Sequence, residues 1–564
     1  MRHDWILKAM PGIGVARNYR RSWLKPDLIA GAALSAALVP AGMAYAEASG
    51  LPAVTGLYAS VVPMIVYAIF GPSRVVIVGP DSALAPMIAA AILPLAGRDP
   101  EQAVPMAGVL AILIGVFLIA GRLLKLGFVT GLLSRPIRVG YLNGIALAVT
   151  VSQLPRLLGI SVPGDSLLER LTGLAGAVAS GGINPVALAV GAGSLAVIVA
   201  GRLLPWKVPS VLFAVAGSIA VVAALDLAGQ LPVVGSLPQG LPAPALGGIG
   251  ADDVLALAGP AAGIALIAFA DTSTLSKSLA ARRGDRVNGN EEMGALGIAN
   301  VATGVLGGFP VCGSSSRTPI VLDAGARTQL SGVVAALLVI LFMVAVPGLT
   351  AFLPTATLAA VVIVAAASLV DVKTLFRLMR TSRTEALLLV VAFLGVAFIG
   401  VLEGIVVAIG LSLMAFVRRA WDPYRTELAS VEGIPGFHDL DRHPDGRRLE
   451  GLVIARFDAP LFFANGEVFA DHIRSLVDAA PWPVTWVIVA AEPITDLDTT
   501  ALDEVDQLDD ELARDGTSLV FAELKGPVKD RLVRFGASAR FTPDHFFPTI
   551  DSAVRAYKDT AATA

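Results

Sequence analysis

The sequence predicts a polytopic α-helical membrane protein of fourteen transmembrane segments, followed by a soluble α/β domain. Three observations carry that prediction. Hydrophobic residues make up 55% of the 564-residue chain and charged residues only 15%, against roughly 25% charged in soluble proteins. The charge is also unevenly placed. Residues 1–424 hold 28 Lys and Arg against 20 Asp and Glu, whereas residues 425–564 hold 14 against 25. Finally, the apolar body breaks into runs of about 20 residues, the length that crosses a ~30 Å hydrocarbon core. Together these exclude a disordered chain, a nucleic-acid binder and an ordinary cytosolic enzyme.

The first 26 residues are polar and basic, with Arg2, Lys8, Arg17, Arg20, Arg21 and Lys25, and lack the short apolar run of a cleavable signal peptide. Apolar runs then begin near Leu28, Leu51, Met106, Ile137, Pro185, Ser210, Val254, Gly294, Leu330, Leu349, Ala386 and Gly404. Two shorter stretches, near 75–96 and 308–325, are interrupted by Gly, Pro and polar residues. Counting both as crossings puts nearly every basic loop residue, such as Arg122, Lys125, Lys207, Arg286 and Arg377, on the side of the N-terminus. Only Arg98, Arg156 and Arg170 fall on the other side. By the positive-inside rule both termini are then cytoplasmic, and the expected location is the plasma membrane. The apolar body spans about residues 27–424, with repeats of about 27–226 and 252–424.

The tail, residues 425–564, alternates strand-like runs (Leu452–Phe457, Thr485–Ala490, Ser518–Ala522) with a helical pattern over Ala501–Arg514. In that helix Leu502, Val505, Leu508 and Leu512 share one face. This is the signature of a small sheet covered by helices. Asp498-Thr499-Thr500 precedes the helix. It reads as an N-cap with Asp503 as capping-box acid, or as phosphorylatable hydroxyls at a helix end that a partner protein recognises.

The two broken stretches echo one another. Gly79-Pro80-Asp81-Ser82-Ala83 and Gly313-Ser314-Ser315-Ser316-Arg317 each follow a short extended run and precede a helix-like run. Broken segments at matching places in two halves point to an inverted-repeat transporter with its site at the midplane. Half-helices starting near Ala83 and Ser315 would aim free N–H groups at one point and bind an anion without metal or cofactor. Ser82, Ser314, Ser315 and Ser316 add hydroxyls, or serve only as caps. Arg317 supplies a positive field or pairs with Asp271 or Asp81. An intramembrane arginine needs one or the other. Asp81 and Glu47 read as interfacial or capping groups. Ala41 and Tyr45 share a helix face, so Tyr45 either walls the cavity or packs as an ordinary aromatic.

Asp271 lies late in an apolar run. It either carries a coupling ion or solvates a helix end. A sodium ion would use Asp271 with Thr272 and Thr274 as oxygen ligands; a proton would sit on Asp271 itself. Glu403 interrupts the last apolar run, as a second proton site or as a structural acid. The five histidines, His3, His438, His443, His472 and His545, all lie outside the apolar body, and Cys312 is the only cysteine. No histidine relay, intrachain disulfide or thiolate metal cluster is available.

These motifs resemble the sulfate permease (SulP) family, bacterial relatives of the anion transporters that include prestin. One signature runs from Val39-Pro40-Ala41-Gly42-Met43-Ala44-Tyr45-Ala46 through Gly50-Leu51-Pro52 and Gly71-Pro72-Ser73-Arg74 to Val78-Gly79-Pro80. A second runs from Asn290-Glu291-Glu292 through Ala299-Asn300, Gly307-Gly308-Phe309-Pro310 and Ser314–Arg317 to Arg327-Thr328-Gln329. The tail is similar to a STAS domain. The resemblance implies a seven-plus-seven inverted repeat split into core and gate, a homodimer and elevator-like transport. It implies a site lined by Tyr45, Ser316 and Arg317, an acidic position at Asp271, and an Asp498-Thr499 pair like that of phosphorylated antagonists. Two positions depart from the pattern. Ala41 stands where the family usually has Gln, and Asp271 where many bacterial members carry Glu. The expected function is cation-coupled secondary transport of sulfate, bicarbonate or C4-dicarboxylates. An uncoupled exchanger or channel, and a sensor signalling through the tail, remain open alternatives.

Overall fold

The computed structural model describes residues 10–563, apart from 98, 132–133, 163, 165, 204–209, 238–242, 245 and 286. Arg2, His3, Lys8, Arg98, Lys207 and Arg286 therefore lie outside the described residues. The chain divides into two units, residues 1–412 and 413–564.

The first unit is helical. After a short α1 (Pro11–Arg17) come α2 (Leu24–Ala48), α3 (Ala53–Phe70), the half-helix α4 (Ala85–Ile92), α5 (Pro100–Leu123), α6 (Arg135–Leu157), α7 (Leu167–Ala179), α8 (Pro185–Leu203) and α9 (Ser210–Ala224). The second half holds α10 (Ala251–Arg283), α11 (Gly289–Val305), the half-helix α12 (Thr318–Asp323), α13 (Leu330–Ala345), α14 (Thr355–Ala367), α15 (Val372–Thr381), α16 (Arg383–Leu394) and α17 (Val401–Trp421). Among the described residues, six helices are long and apolar enough to cross a membrane and three shorter ones are apolar. Two features depart from the sequence expectation. The crossing expected near Leu349 becomes helical only at Thr355. A single 3-10 turn, Pro347–Phe352, comes first, and Pro354 then caps α14. The amphipathic α7, opened by a Ser166–Glu169 capping box, was not foreseen.

The helices sort into two bundles. In the first, α11 lies along α5 and α3, α13 along α2 and α3, and α10 along α5. In the second, α14 and α16 flank α6, and α8 packs on α9 and α14. The bundles meet where α9 and α14 pass α2, and where α6 passes α2 and α4. Small residues set the closest approach. A Cβ on Gly115 of α5 would fall 2.6 Å from the Gly297 carbonyl of α11, and one on Gly297 would fall 2.9 Å from that of Gly115. Without a hydrophobic drive between helices in lipid, such backbone contact is what holds membrane helices together.

The two broken stretches pair with each other. Val78–Gly79 (β1) and Cys312–Gly313 (β2) form an antiparallel ladder, Val78 opposite Gly313 and Gly79 opposite Cys312. Side chains finish what so short a ladder leaves unpaired. Asn300 bonds both the N–H and the carbonyl of Val311 at 3.0 Å. Thr272 Oγ1 accepts the Gly313 N–H at 2.7 Å. Thr318 Oγ1 accepts the Ile77 N–H at 3.1 Å. Gln329 donates to the Ser73 and Val76 carbonyls at 3.0 and 2.7 Å.

The second unit holds a six-stranded sheet of order β4-β3-β5-β6-β7-β8: β3 (Arg425–Val431), β4 (Ile434–Asp439), β5 (Leu452–Phe457), β6 (Trp486–Ala490), β7 (Ser518–Ala522) and β8 (Phe546–Phe547). Strands β5 to β8 are parallel and β3 is antiparallel to both neighbours. Helices α18 (Gly466–Asp478), α19 (Thr499–Arg514) and α20 (Gly526–Arg534) bury Phe469, Leu508 and Leu532 in one apolar cluster. The last helix, α21 (Ile550–Thr563), places Val554 and Tyr557 in the cluster on Ile454 and Val520.

Asn300→Leu keeps the volume but leaves the buried Val311 N–H and carbonyl without their partner, at about 1–3 kcal/mol per group. The detergent-purified variant is expected to melt several degrees below wild type. An unchanged melting temperature would show that the Asn300 clamp contributes nothing.

Candidate functional site

The site forms where α2 passes the starts of α4 and α12. Both half-helices begin later than the sequence suggested, at Ala85 and Thr318 rather than Ala83 and Ser315, after a turn in each case. Each has proline at its second position, Pro86 and Pro319. Proline suits a first helical turn but removes one of its free N–H groups. α12 is only six residues long. The positive field at this point therefore comes more from side chains than from helix dipoles.

Arg317 is the chief of these. It is the N-cap of α12 rather than a residue inside it. Its side chain is 2% exposed. Nε donates to Ser314 Oγ at 2.9 Å, and Nη2 donates to the Pro80 carbonyl across the pseudo-repeat. The guanidinium carbon sits 5.9 Å from the centre of the Tyr45 ring. Nη1 is buried with no hydrogen-bond partner among the described residues. Gly79 makes the room for it: a Cβ there would lie 3.3 Å from Nη1. Among the described residues no ion pair within 4 Å joins Arg317 to Asp81 or Asp271, although Asp81 lies within electrostatic reach of the guanidinium. Its hydrogen-bond partners are a hydroxyl and a carbonyl, and both N–H groups of Nη1 are left over.

The neighbours are those the sequence singled out. Asp81 accepts the Ala83 N–H at 3.1 Å, an Asx-type bond in the turn before α4, whose N-cap is Leu84. The Tyr45 side chain lies beside Ser82 and Ser316. Ser314 and Ser316 hydroxyls are 3.2 Å apart. Ser315 and Ser316 are exposed, whereas Ala41, Tyr45, Ser82, Ala83 and Ser314 are buried. The result is a wall of hydroxyls, one aromatic face and a guanidinium whose Nη1 has no partner among the described residues.

Asp271 lies nearby on α10, facing Tyr141 and Arg138 of α6 as well as Asp81. Thr274, one turn on, shares that face and accepts a bond from Arg138 Nη1 at 2.8 Å. Thr272 does not. Its hydroxyl donates to the Ala268 carbonyl at 2.6 Å and accepts from Gly313. The oxygen shell of Asp271, Thr272 and Thr274 expected for sodium is therefore not assembled, because adjacent helix residues point about 100° apart. Glu403 is not brought to this point. Its carboxyl folds against Gly400 in the first turn of α17.

Two acidic sites were missed. Glu292 is fully buried and accepts from Tyr67 at 2.5 Å and Ser276 at 2.8 Å, tying α3, α10 and α11 together. Asp27, also fully buried, accepts from the backbone of Arg327 and Thr328 and from the Thr328 hydroxyl. Asp27 shows in the sequence only as a lone carboxylate beside an apolar run, and Glu292 only as part of Asn290-Glu291-Glu292, which names no partner. In the tail, the cap of α19 is Asp498, which accepts the Ala501 N–H at 2.9 Å. That places Ala501, not Asp503, at the capping-box position, and corrects the expected box. Thr499 and Thr500 are exposed in its first turn.

A family profile described as the sulfate permease family matches residues 24–392, and one for the STAS domain matches residues 443–553. A Mycobacterium tuberculosis (strain CDC 1551 / Oshkosh) protein named as a probable sulfate transporter is 39% identical over 549 residues, covering 97% of this chain and 98% of its own. The chain belongs to the sulfate permease family. It is an anion transporter rather than an enzyme. Its fold matches that of the murine anion transporter Slc26a9 in an inward-facing state, at a TM-score of 0.91 and 21% identity, over 99% of this chain and 95% of that one. The transmembrane domain of the cyanobacterial bicarbonate transporter BicA matches at 0.59 and 26% identity, over 71% of this chain and 98% of that domain.

Arg317→Ala removes the unpaired Nη1 and the charge behind it. A charge-assisted hydrogen bond contributes about 1.5–3 kcal/mol, so anion affinity is expected to fall at least tenfold while the protein stays folded. Equilibrium binding of labelled anion to the purified variant checks this. Unchanged affinity would make Arg317 purely structural.

Proposed function

We propose that this permease imports a tetrahedral oxyanion of the sulfate class together with a proton, as a homodimer in the plasma membrane. The observation that supports the anion site is the buried, unpartnered Nη1 of Arg317, which lies against Gly79 beside the starts of two half-helices, while Nε of the same guanidinium holds the Ser314 hydroxyl. A sulfate has four oxygens that accept from such donors. The name of the M. tuberculosis relative favours sulfate over bicarbonate or a dicarboxylate.

Coupling is assigned to Asp271. It is a carboxylate at the seam between the bundles, and the Thr272 oxygen that a sodium ion would need is already committed to Gly313. A carboxyl alone accommodates a proton. The anion site rides on α2, α4 and α12 of the first bundle, so carrying it past α6 and α14 gives alternating access by an elevator movement. The basic loops support a cytoplasmic location for both termini. There the exposed Thr499 and Thr500 at the start of α19 offer a phosphorylation or partner-binding point.

Uptake of labelled sulfate into proteoliposomes under imposed proton and sodium gradients tests the reading. Wild-type uptake is expected to rise as external pH falls and to ignore sodium, because the protonated acid is the loaded form. Asp271→Asn is expected to bind sulfate but to lose gradient-driven accumulation by tenfold or more. Full accumulation by the variant would remove Asp271 from the mechanism, and sodium-driven uptake would overturn proton coupling.

A further inference from the structure

The two bundles are fastened to each other by polar contacts at both ends of α6. Near its C-terminus Arg156 reaches Glu47, which lies two residues beyond Tyr45 on α2, with Nη1 3.5 Å from Oε2. Near its N-terminus Arg138 reaches Thr274 on α10 at 2.8 Å. The two arginines are 18 residues apart, about 27 Å along a helix. That is close to the ~30 Å depth of the hydrocarbon core, so α6 is tied to the substrate-bearing bundle near both rims.

These ties differ in kind from those inside the first bundle. Asp27 and Glu292 are fully buried and each accepts several short bonds from its own bundle. Glu47 and Arg156 make one long contact, and their side chains are 14% and 37% exposed. Both line a cavity of about 640 Å³, shared with Leu51, Val233 and Thr355. An ion pair with water at hand contributes little net stability, because each charge is rehydrated when it opens. A fully buried pair would cost far more to separate. The intra-bundle bonds are built to persist, whereas this inter-bundle bond is cheap to break.

We propose that Glu47 and Arg156 form a latch that holds the substrate bundle against α6 in the conformation seen here and opens in every transport cycle. The proposal rests on the moving-bundle reading of transport. The pair are positioning residues: they touch no substrate, and they set the rate of bundle movement rather than anion affinity.

Two measurements test it on the full-length protein, with buried Cys312 left in place. In the first, Glu47→Cys/Arg156→Cys is bridged by a short reducible bis-methanethiosulfonate, and sulfate uptake is compared before bridging, after it, and after reduction. Uptake is expected to fall at least tenfold and to recover on reduction. Unchanged uptake in fully bridged protein overturns the latch. Bridging Arg138→Cys/Thr274→Cys then separates the causes. If that bridge blocks uptake, the bundles move and only the latch assignment fails. If neither bridge slows uptake, the moving-bundle reading falls as well. In the second measurement, E47R and R156E are compared with the swapped double variant, and E47Q and R156Q serve as milder replacements if a reversal does not fold. Each single change is expected to alter maximal uptake at least threefold with KM unchanged, and the swap to return it to within twofold of wild type. A swap as impaired as its parents, or a KM that moves with the rate, overturns the proposal.

Discussion

A peptide group in the hydrocarbon region must find a hydrogen-bond partner, and this chain stops being helical twice within its apolar body. The pairing of Val78–Gly79 with Cys312–Gly313 answers that demand. Much else in the first unit follows from it. The ladder is too short to satisfy its own ends, so Asn300, Thr272, Thr318 and Gln329 each reach in from a different element. Those four residues then dictate how α10, α11, α12 and the approach to α13 must pack. The proposed anion site lies beside the ladder, where the chain has turned but is not yet helical.

The same constraint explains the placement of charge. Arg317 could not stand in this bundle unpaired, yet pairing it fully would leave nothing for a substrate. The structure resolves the conflict by giving Nε and Nη2 fixed acceptors, one from each repeat. Only Nη1 is left free. The guanidinium is thereby held in one orientation over the Tyr45 ring. Such preorganisation lowers the cost of ordering the site when an anion arrives.

Much of this was legible in the residues. The two breaks marked by Gly, Pro and polar residues, the Arg317 position, the Asp271 position and the three central strands of the tail all stood out against their surroundings. Polar residues in apolar runs, and hydrophobic runs bounded by turns, are strong local signals. What stayed hidden was pairwise. Glu292 meeting Tyr67 joins residues 225 apart in sequence, and Asp27 meeting Thr328 joins residues 301 apart. Periodicity carries no information at that range. Thr272 and Thr274 looked equivalent because both follow Asp271 within three residues, while a helix turns one toward β2 and the other toward α6. The start of α12 was misplaced by three residues because the Ser-rich turn ahead of Pro319 gives no periodic cue.

The ladder also bears on how the protein is made. Val78 and Gly79 leave the ribosome long before Cys312 and Gly313. At roughly 5–20 residues per second, the first strand waits on the order of 10–50 s for its partner. Throughout that interval the nascent first repeat carries open backbone groups inside a lipid environment. The insertion machinery must therefore shelter a half-built protein, or delay its release into the bilayer, until the second repeat emerges. A chain truncated between the repeats is left with Val78–Gly79 as an unpaired edge.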